Sequence, residues 1–417
     1  MTLTVRMVRC GRVLEPFAAS VDDCGLGAGT FASYRIAMLG ELAARVSDAD
    51  IDEDITGPAL VWSDDVFLTR RCLRTFLRAV ADTADSARLC LPKSRLLELY
   101  LPLQDVDIDD AGRAAYHVAW LPAGKQSTAR ELFSLSSDGW RAPPYRELLL
   151  ALPAPRYILK RDTPVIAMPL TSTVALRVRH WLHVLRAGHL IPQVTLLERM
   201  AAQPVRSLLR ALTVPLRMLR SGSLSRASLM VALRAAYAYQ GRATFVHPTA
   251  TVEASVLGDG VVVGAYAYVT HSVVGDGCVI EQRAHVSGSA LGPRTFVSLN
   301  SSLSACVTFG DTDACSNGVQ ACVIAARCAL TSFARPLDLA LDGQVRVLDE
   351  GQLREVGELP CGVAFGPGVF AGADVVIAAG RAIPADVRLY VDSRGVLSRV
   401  PRELAPGSYA VVEGAPQ

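Results

Sequence analysis

From residue 245 to residue 309 the chain returns to an apolar residue every five or six positions: Val246, Val252, Leu257, Val263, Val269, Val274, Ile280, Val286, Leu291, Val297, Leu303 and Phe309. Three such steps make one turn of 17 residues, stretching once to 18. One corner carries a near-fixed tripeptide: Leu257-Gly258-Asp259, Val274-Gly275-Asp276, Leu291-Gly292-Pro293 and Phe309-Gly310-Asp311. A fixed return constrains architecture before local propensity does, because each repeat has to be one structural unit. The period predicts a left-handed parallel β-helix with three short strands and three corners per turn. One aliphatic side chain per face points inward and stacks on its equivalent in the next turn, so neighbouring turns bury what a single turn cannot. Glycine suits a corner where a Cβ would clash or φ must be positive. A Greek-key sandwich also gives many short strands, but not a constant 17-residue return.

The pattern continues less regularly through Cys315, Ala321 and Arg327. A polar segment at 332–360 interrupts it and reads as an arm or hairpin leaving the coil. The repeat resumes at Cys361, with Val363, Val369 and Val375 six apart and a further corner at Phe365-Gly366-Pro367. Residues 382–387 read as the end of the stack. Residues 388–417 are expected to form a short strand pair and a tail that caps the last turn, since a bare final rung is a sticky edge.

A chain of 417 residues is long for one domain, so two or three units are expected. Residues 1–165 read as mixed α/β. Strand-like pieces lie at 5–8, 59–62 and 157–159, and helical patterns at 32–46 and 69–81. The run Pro58-Ala59-Leu60-Val61-Trp62-Ser63-Asp64-Asp65 is a buried strand ending in two acids. Asp64 and Asp65 suit Mg²⁺ at the carboxyl end of a parallel strand. They equally suit the start of a helix, where Asp caps and complements the dipole. The glycines of Gly25-Leu26-Gly27-Ala28-Gly29-Thr30 can present backbone N–H groups to phosphate, with Gly27, Gly29 and Thr30 as candidate nucleotide contacts, or can form a plain loop. Residues 100–145 read as surface loops.

Residues 166–244 form a linker region that turns helical from 174. Ten arginines and one acid, Glu198, fall between 174 and 239, and Pro192, Pro204 and Pro215 are expected to divide the span into several helices. Such a region can pack between flanking domains, or can lie on an anionic membrane surface as a peripheral contact. His180, Trp181 and His183 at its start are either ligand contacts or partly buried structural residues.

The net charge of +2 gives no global pull toward nucleic acid. The ten cysteines show no paired framework and no Cys-x-x-Cys, so buried reduced thiols are expected. The first residues lack an apolar signal core, and no apolar run reaches about 18 residues. These features lead us to expect a cytoplasmic protein, either free or at a membrane periphery.

The hexad pattern over residues 245–387 resembles the hexapeptide-repeat transferases. The order of an α/β domain, a helical connection and a β-helix looks like that of bifunctional sugar-1-phosphate uridylyltransferase/acetyltransferases, nearest to divergent GlmU-like sugar nucleotidyltransferases. The resemblance implies an acyl-CoA such as acetyl-CoA as co-substrate, a sugar or related amine as acceptor, and a homotrimer with sites in the grooves between β-helices. It also implies Mg²⁺ if the N-terminal domain is active. The nucleotidyltransferase signature, Gly-x-Gly-Thr-Arg with a later Lys, is met only by Gly27-Ala28-Gly29-Thr30, which Phe31 follows. The missing cations would have neutralised a triphosphate, so a degenerate N-terminal domain is expected.

Acyl transfer from a thioester needs a base for the acceptor and a donor for the oxyanion. His271 and His285 are the candidate bases, though a solvated histidine is an ordinary residue on a β-helix face. His247 is a weaker candidate in the first rung. Asn300 and Asn317 can orient substrate or the oxyanion, or serve as turn residues. Arg283 and Arg294 can fork onto a phosphate. The leading expectation is an acyl-CoA-dependent acyltransferase. The alternatives are a non-catalytic scaffold with a basic partner-binding region, and a Mg²⁺-dependent nucleotidyltransferase.

Overall fold

The computed structural model describes residues 3–153, 165–221, 225–340 and 344–392, with 394, 411–412 and 415–416. The predicted strand at 157–159 and most of the predicted cap at 388–417 lie outside the described residues. The first half is built on one mixed sheet: β1 (Thr4–Val8), β2 (Arg45–Ala49), β3 (Ala59–Ser63), β4 (Ala87–Leu91), β5 (Ala114–Leu121) and β6 (Trp140–Arg141). Their order across the sheet is β6-β4-β5-β3-β1-β2. β1 pairs in parallel with both β2 and β3, and β5 runs antiparallel to β3 and β4. Every residue of β3 and β4 is buried, as expected for strands covered on both faces.

Helix α1 (Phe31–Glu41) starts on a capping box between Thr30 and Ser33. Helix α2 (Arg70–Val80) is capped by Thr69 and buries Cys72, Leu73, Phe76 and Val80. Two further short helices follow, α3 (Arg95–Tyr100) and α4 (Ala129–Phe133). The expected loops at 100–145 therefore contain β5, the longest strand of the sheet. Its sequence, Ala-Ala-Tyr-His-Val-Ala-Trp-Leu, is an apolar run broken only by His117, which the flanking acids and glycines obscure.

The expected helical span also begins later than its composition suggests. Val165–Leu170 is a strand paired with Leu148–Pro153, and Ala175–Arg177 pairs with Val66–Leu68. Helices then run as α5 (Trp181–Ala202), α6 (Pro204–Ala211), α7 (Thr213–Ser221) and α8 (Arg226–Ala236). Pro204 opens α6 at its first position, where the missing N–H has no partner to lose. Pro192 does not divide the chain; it is buried inside α5, which continues to Ala202.

The second half is a parallel β-helix of three sheets. Successive coils pair in register, for example Val252 with Val269, Val269 with Val286, and Val286 with Leu303. The inward column includes Leu257, Val263, Val269, Val274, Ile280, Val286, Leu291 and Val297, all at most 2 % exposed. The apparent 18-residue stretch is not one. Ala290 pairs with Val307, so Thr308 takes the inward place after Leu291 and bonds Thr295 at 2.8 Å. Phe309 lies one residue beyond and turns toward the α/β domain, 4.9 Å from the Phe17 ring.

Each corner has a left-handed residue, but of the repeated glycines only Gly310 has a positive φ, at 111°. Near that corner, positive φ falls at Gly260, Gly277, Arg294 and Asp311. Gly258 and Gly275 are needed for close approach instead. A Cβ on Gly275 would lie 2.7 Å from the Pro293 backbone nitrogen one coil on.

The three outer faces differ. The first is docked: Val256, Val273, Ala290, Val307, Val323 and Ala364 point outward yet are buried, and α5 runs across them. The second is an open apolar ladder in register, Phe245, Val262, Val279 and Phe296, then Asp313, Ala329 and Phe370. The third is polar and carries Glu253, Tyr268, Thr270, His285, Ser302 and Ser304. The inserted arm leaves between residues 337 and 361 and forms a hairpin of Arg346–Asp349 and Gln352–Glu355. Its described residues pack back on α5, where the buried Arg186 donates to the carbonyls of Pro360 and Leu359 at 3.0 and 3.1 Å.

Candidate functional site

Strand register sorts the predicted β-helix residues by edge. On the polar face Tyr268, His285 and Ser302 form one column, each 17 residues from the next. The corner that leads into this face holds Tyr266, Arg283 and Asn300 in matching left-handed conformation, with φ of 58, 57 and 58°. Asn317 lies at the same corner one coil further, beside Gly318. Arg283, His285, Asn300 and Asn317 therefore share one edge. Asn tolerates the left-handed region well, whereas Arg283 adopts it only because the coil imposes it.

His285 packs against Tyr268 in a tilted ring contact, with centroids 5.3 Å apart. The Tyr268 hydroxyl donates to Glu253 Oε2 at 3.1 Å, and Glu253 is itself buried. Burial and the Glu253 carboxylate raise the Tyr268 pKa, so the phenol stays protonated. Arg283 is exposed and makes no ion pair among the described residues. The face thus offers a half-buried imidazole, a held phenol, an exposed guanidinium and two exposed amides.

His271 and Arg294 are elsewhere. His271 occupies the opposite edge of the polar face, at the corner shared with Ala254, Gly288, Ala305 and Ala321, all left-handed. It stands three residues beyond Tyr268, roughly 10 Å along the strand from the His285 column. Its Nδ1 bonds the Thr270 hydroxyl at 2.8 Å, and burial together with Arg234 lowers its pKa. The two histidines do not meet at one reacting centre within one chain. Arg294 sits at the third corner, in a two-pronged ion pair with Asp311 at 2.6 and 2.7 Å. His247 bonds Thr249 in the first coil, at 2.8 Å.

Glu253 and Tyr268 were not anticipated. Tyr268 was within reach of sequence reasoning, since it precedes His285 by one period. Glu253 follows inward Val252 by one residue, and alternation puts it on the outer surface.

In the α/β domain the chain passes from β1 to β2 on one side, then crosses back to β3. That reversal leaves a crevice at the carboxyl ends of β1 and β3. Beside it, between α1 and the β1–β2 side of the sheet, lies a cleft of about 470 Å³ lined in part by Met7, Arg9, Asp22, Arg35 and Val46. Asp64 faces this end and accepts from the Cys10 amide at 3.0 Å, while Asp22 pairs with Arg9 and Arg35 at 2.7 and 2.8 Å. Asp65 turns the other way into the core. It is fully buried, accepts from Ser63 at 2.7 Å and pairs with Arg177 at 2.9 Å. The two carboxylates share no metal site, and no cluster of three or more His, Cys, Asp or Glu suited to a metal occurs among the described residues.

The glycine-rich loop is a hairpin, Gly25–Leu26 against Gly29–Thr30. It does not face a phosphate pocket. A Cβ on Gly25 would lie 2.8 Å from the Phe309 Cα, and one on Gly27 (φ +68°) 3.3 Å from a Val273 methyl. These glycines let the α/β domain approach the β-helix, and Thr30 caps α1. His180 and His183 are structural as well. His183 Nδ1 accepts from the amides of Arg179 and His180, and its Nε2–H donates to the Pro102 carbonyl at 3.1 Å.

No family model matches the chain, and no curated protein matches it.

Proposed function

We propose that the protein is an acyl-CoA-dependent acyltransferase acting on a sugar or related amine, and that its β-helix is the left-handed form. The observation that carries this is the shared edge of Arg283, His285, Asn300 and Asn317 beside the Glu253–Tyr268 pair. His285 is the general base: it takes a proton from the acceptor nitrogen or oxygen as that atom attacks the thioester carbonyl carbon. The carbon–sulfur bond then breaks, and the departing thiolate takes the proton back from the imidazole. The Asn300 amide donates to the oxyanion. Arg283 holds a phosphate of the co-substrate through its fork of N–H groups.

The α/β domain serves this reading as a binding module for the acceptor. Arg9 and Arg35 at its crevice are held by Asp22, so a polar acceptor would meet an Arg–Asp cluster there, and Asp64 and Asp65 point apart rather than onto one shared site. The open apolar ladder supports a homotrimer in which a neighbouring chain completes the groove along the polar face. Free-thiol release from acetyl-CoA over a panel of amino sugars and sugar phosphates tests the reading. Acceptor-dependent release supports it, and no release above the acceptor-free rate with any acceptor or acyl-CoA length rejects it.

A further inference from the structure

The helices α6 and α7 carry an apolar stripe that the fold does not use. Val205, Leu208, Leu209, Leu212, Leu216 and Leu219 follow one another at spacings of three, one, three, four and three. That spacing is the one-face period of an amphipathic helix, carried through α6, its cap residue Leu212 and α7. All six are 57–70 % exposed. Their opposite side is already satisfied: Val214, Ala232 and Ala236 form a small buried cluster that holds α7 against α8. On α8 the exposed residues Leu229, Met230 and Val231 extend the apolar surface.

The charge around this stripe has one sign. Eight arginines and no acidic residue lie between Glu198 and Glu253. Arg199 and Arg206 are exposed. Arg210 is committed to structure, donating to the Ala236 carbonyl at 3.1 Å and lying 4.2 Å over the Tyr239 ring. By contrast, the open ladder on the β-helix is interrupted by Asp313 and ends at Arg388. Its charged members are of mixed sign, and it carries no such inference.

An apolar helical face in a span that carries arginines, two of them exposed beside it, and no acids is complementary to one partner in particular, a lipid surface bearing anionic headgroups. A symmetric contact with a second copy would bring arginine against arginine with no carboxylate on the patch to offset it. We propose that α6 and α7, with the outer face of α8, form a membrane-docking element. The leucines enter the headgroup boundary and the arginines meet lipid phosphates, while α5 remains the interdomain strut.

Flotation of the full chain with vesicles tests this. Phosphatidylcholine vesicles with about one third phosphatidylglycerol should carry the protein up at low salt, and pure phosphatidylcholine should carry at least about tenfold less. High salt should weaken the capture. The combined variant Leu208→Glu, Leu212→Glu, Leu216→Glu should lose it by a similar factor and keep the wild-type circular dichroism spectrum and sedimentation coefficient, since all three side chains are exposed. Arg206→Glu should reduce capture without touching the stripe. The proposal is overturned if the wild type stays at the bottom of the gradient, or if the triple variant floats as well as wild type. It is also overturned if the variant's only change is a smaller assembly, which would make the stripe a contact between copies.

Discussion

Single buried residues in the interdomain layer set how the protein answers to pH. His183 is fully buried and His189 partly so, and desolvation pushes each imidazole down to about 3 from an ordinary 6.5. His189 Nε2–H donates to the Ala305 carbonyl at a β-helix corner, 3.0 Å away. Both rings are neutral in the folded state. Between about pH 6.5 and 3 the unfolded chain therefore binds the extra protons, and stability is lost as pH falls through that window. Each ring contributes about 1.4 kcal/mol per pH unit. Denaturant titrations between pH 6 and 5 should show that dependence, and His189→Gln, which keeps a donor to Ala305, should make it shallower by about 1.4 kcal/mol per pH unit. An unchanged slope would mean that His189 is not held neutral. At this scale the sequence was least legible. His189 is an unremarkable residue in a helix, and only the approach of a corner 116 residues away makes it matter. The doubled Asp64-Asp65 misled in the opposite direction, because alternation along the chain sends one carboxylate to the crevice and the other to the core.

Helix α5 and the arm join the halves. Gly188 of α5 meets the docked face where a Cβ would come within 2.0 Å of a Val307 methyl. Alanine is the better helix former by about 1 kcal/mol, but overpacking here costs about 1–3 kcal/mol. Gly188→Ala should thus lower stability despite its propensity, and Val307→Ala added to it should recover part of the loss by coupling through the shared space. Additive losses in urea titrations would contradict the contact. Arg186 is the second tie, and Arg186→Met should cost about 3 kcal/mol, because at least two buried carbonyls lose their donor. The β-helix was legible at this scale because its period depends on inward residues alone. The arm was legible as an interruption, but its destination was not, since nothing local encodes a partner near residue 186. The glycine-rich loop was open to both readings, phosphate cradle and tight packing, and Phe309 decides for packing.

For the whole molecule, three outer faces divide the work. One is spent on the α/β domain, one is an exposed apolar ladder, and one carries the polar edge with His285. Assembly through the ladder is the proposal that closes the site. Val262→Glu with Phe296→Glu should shift the sedimenting species from trimer to monomer and depress acyl transfer with it, leaving the coil itself folded because both side chains point outward. A wild-type monomer would remove the trimer and the shared groove together.

The claim on which the functional account turns is that one histidine, His285, works as the base. Steady-state acyl transfer by wild type, His285→Ala and His271→Ala, with the best acceptor and saturating acyl-CoA, tests it most directly. His285→Ala should lose at least about 100-fold in kcat, with little change in KM for acyl-CoA, while His271→Ala stays within about threefold of wild type. Full activity in His285→Ala, or a loss confined to His271→Ala, would contradict the site assigned to this edge of the β-helix.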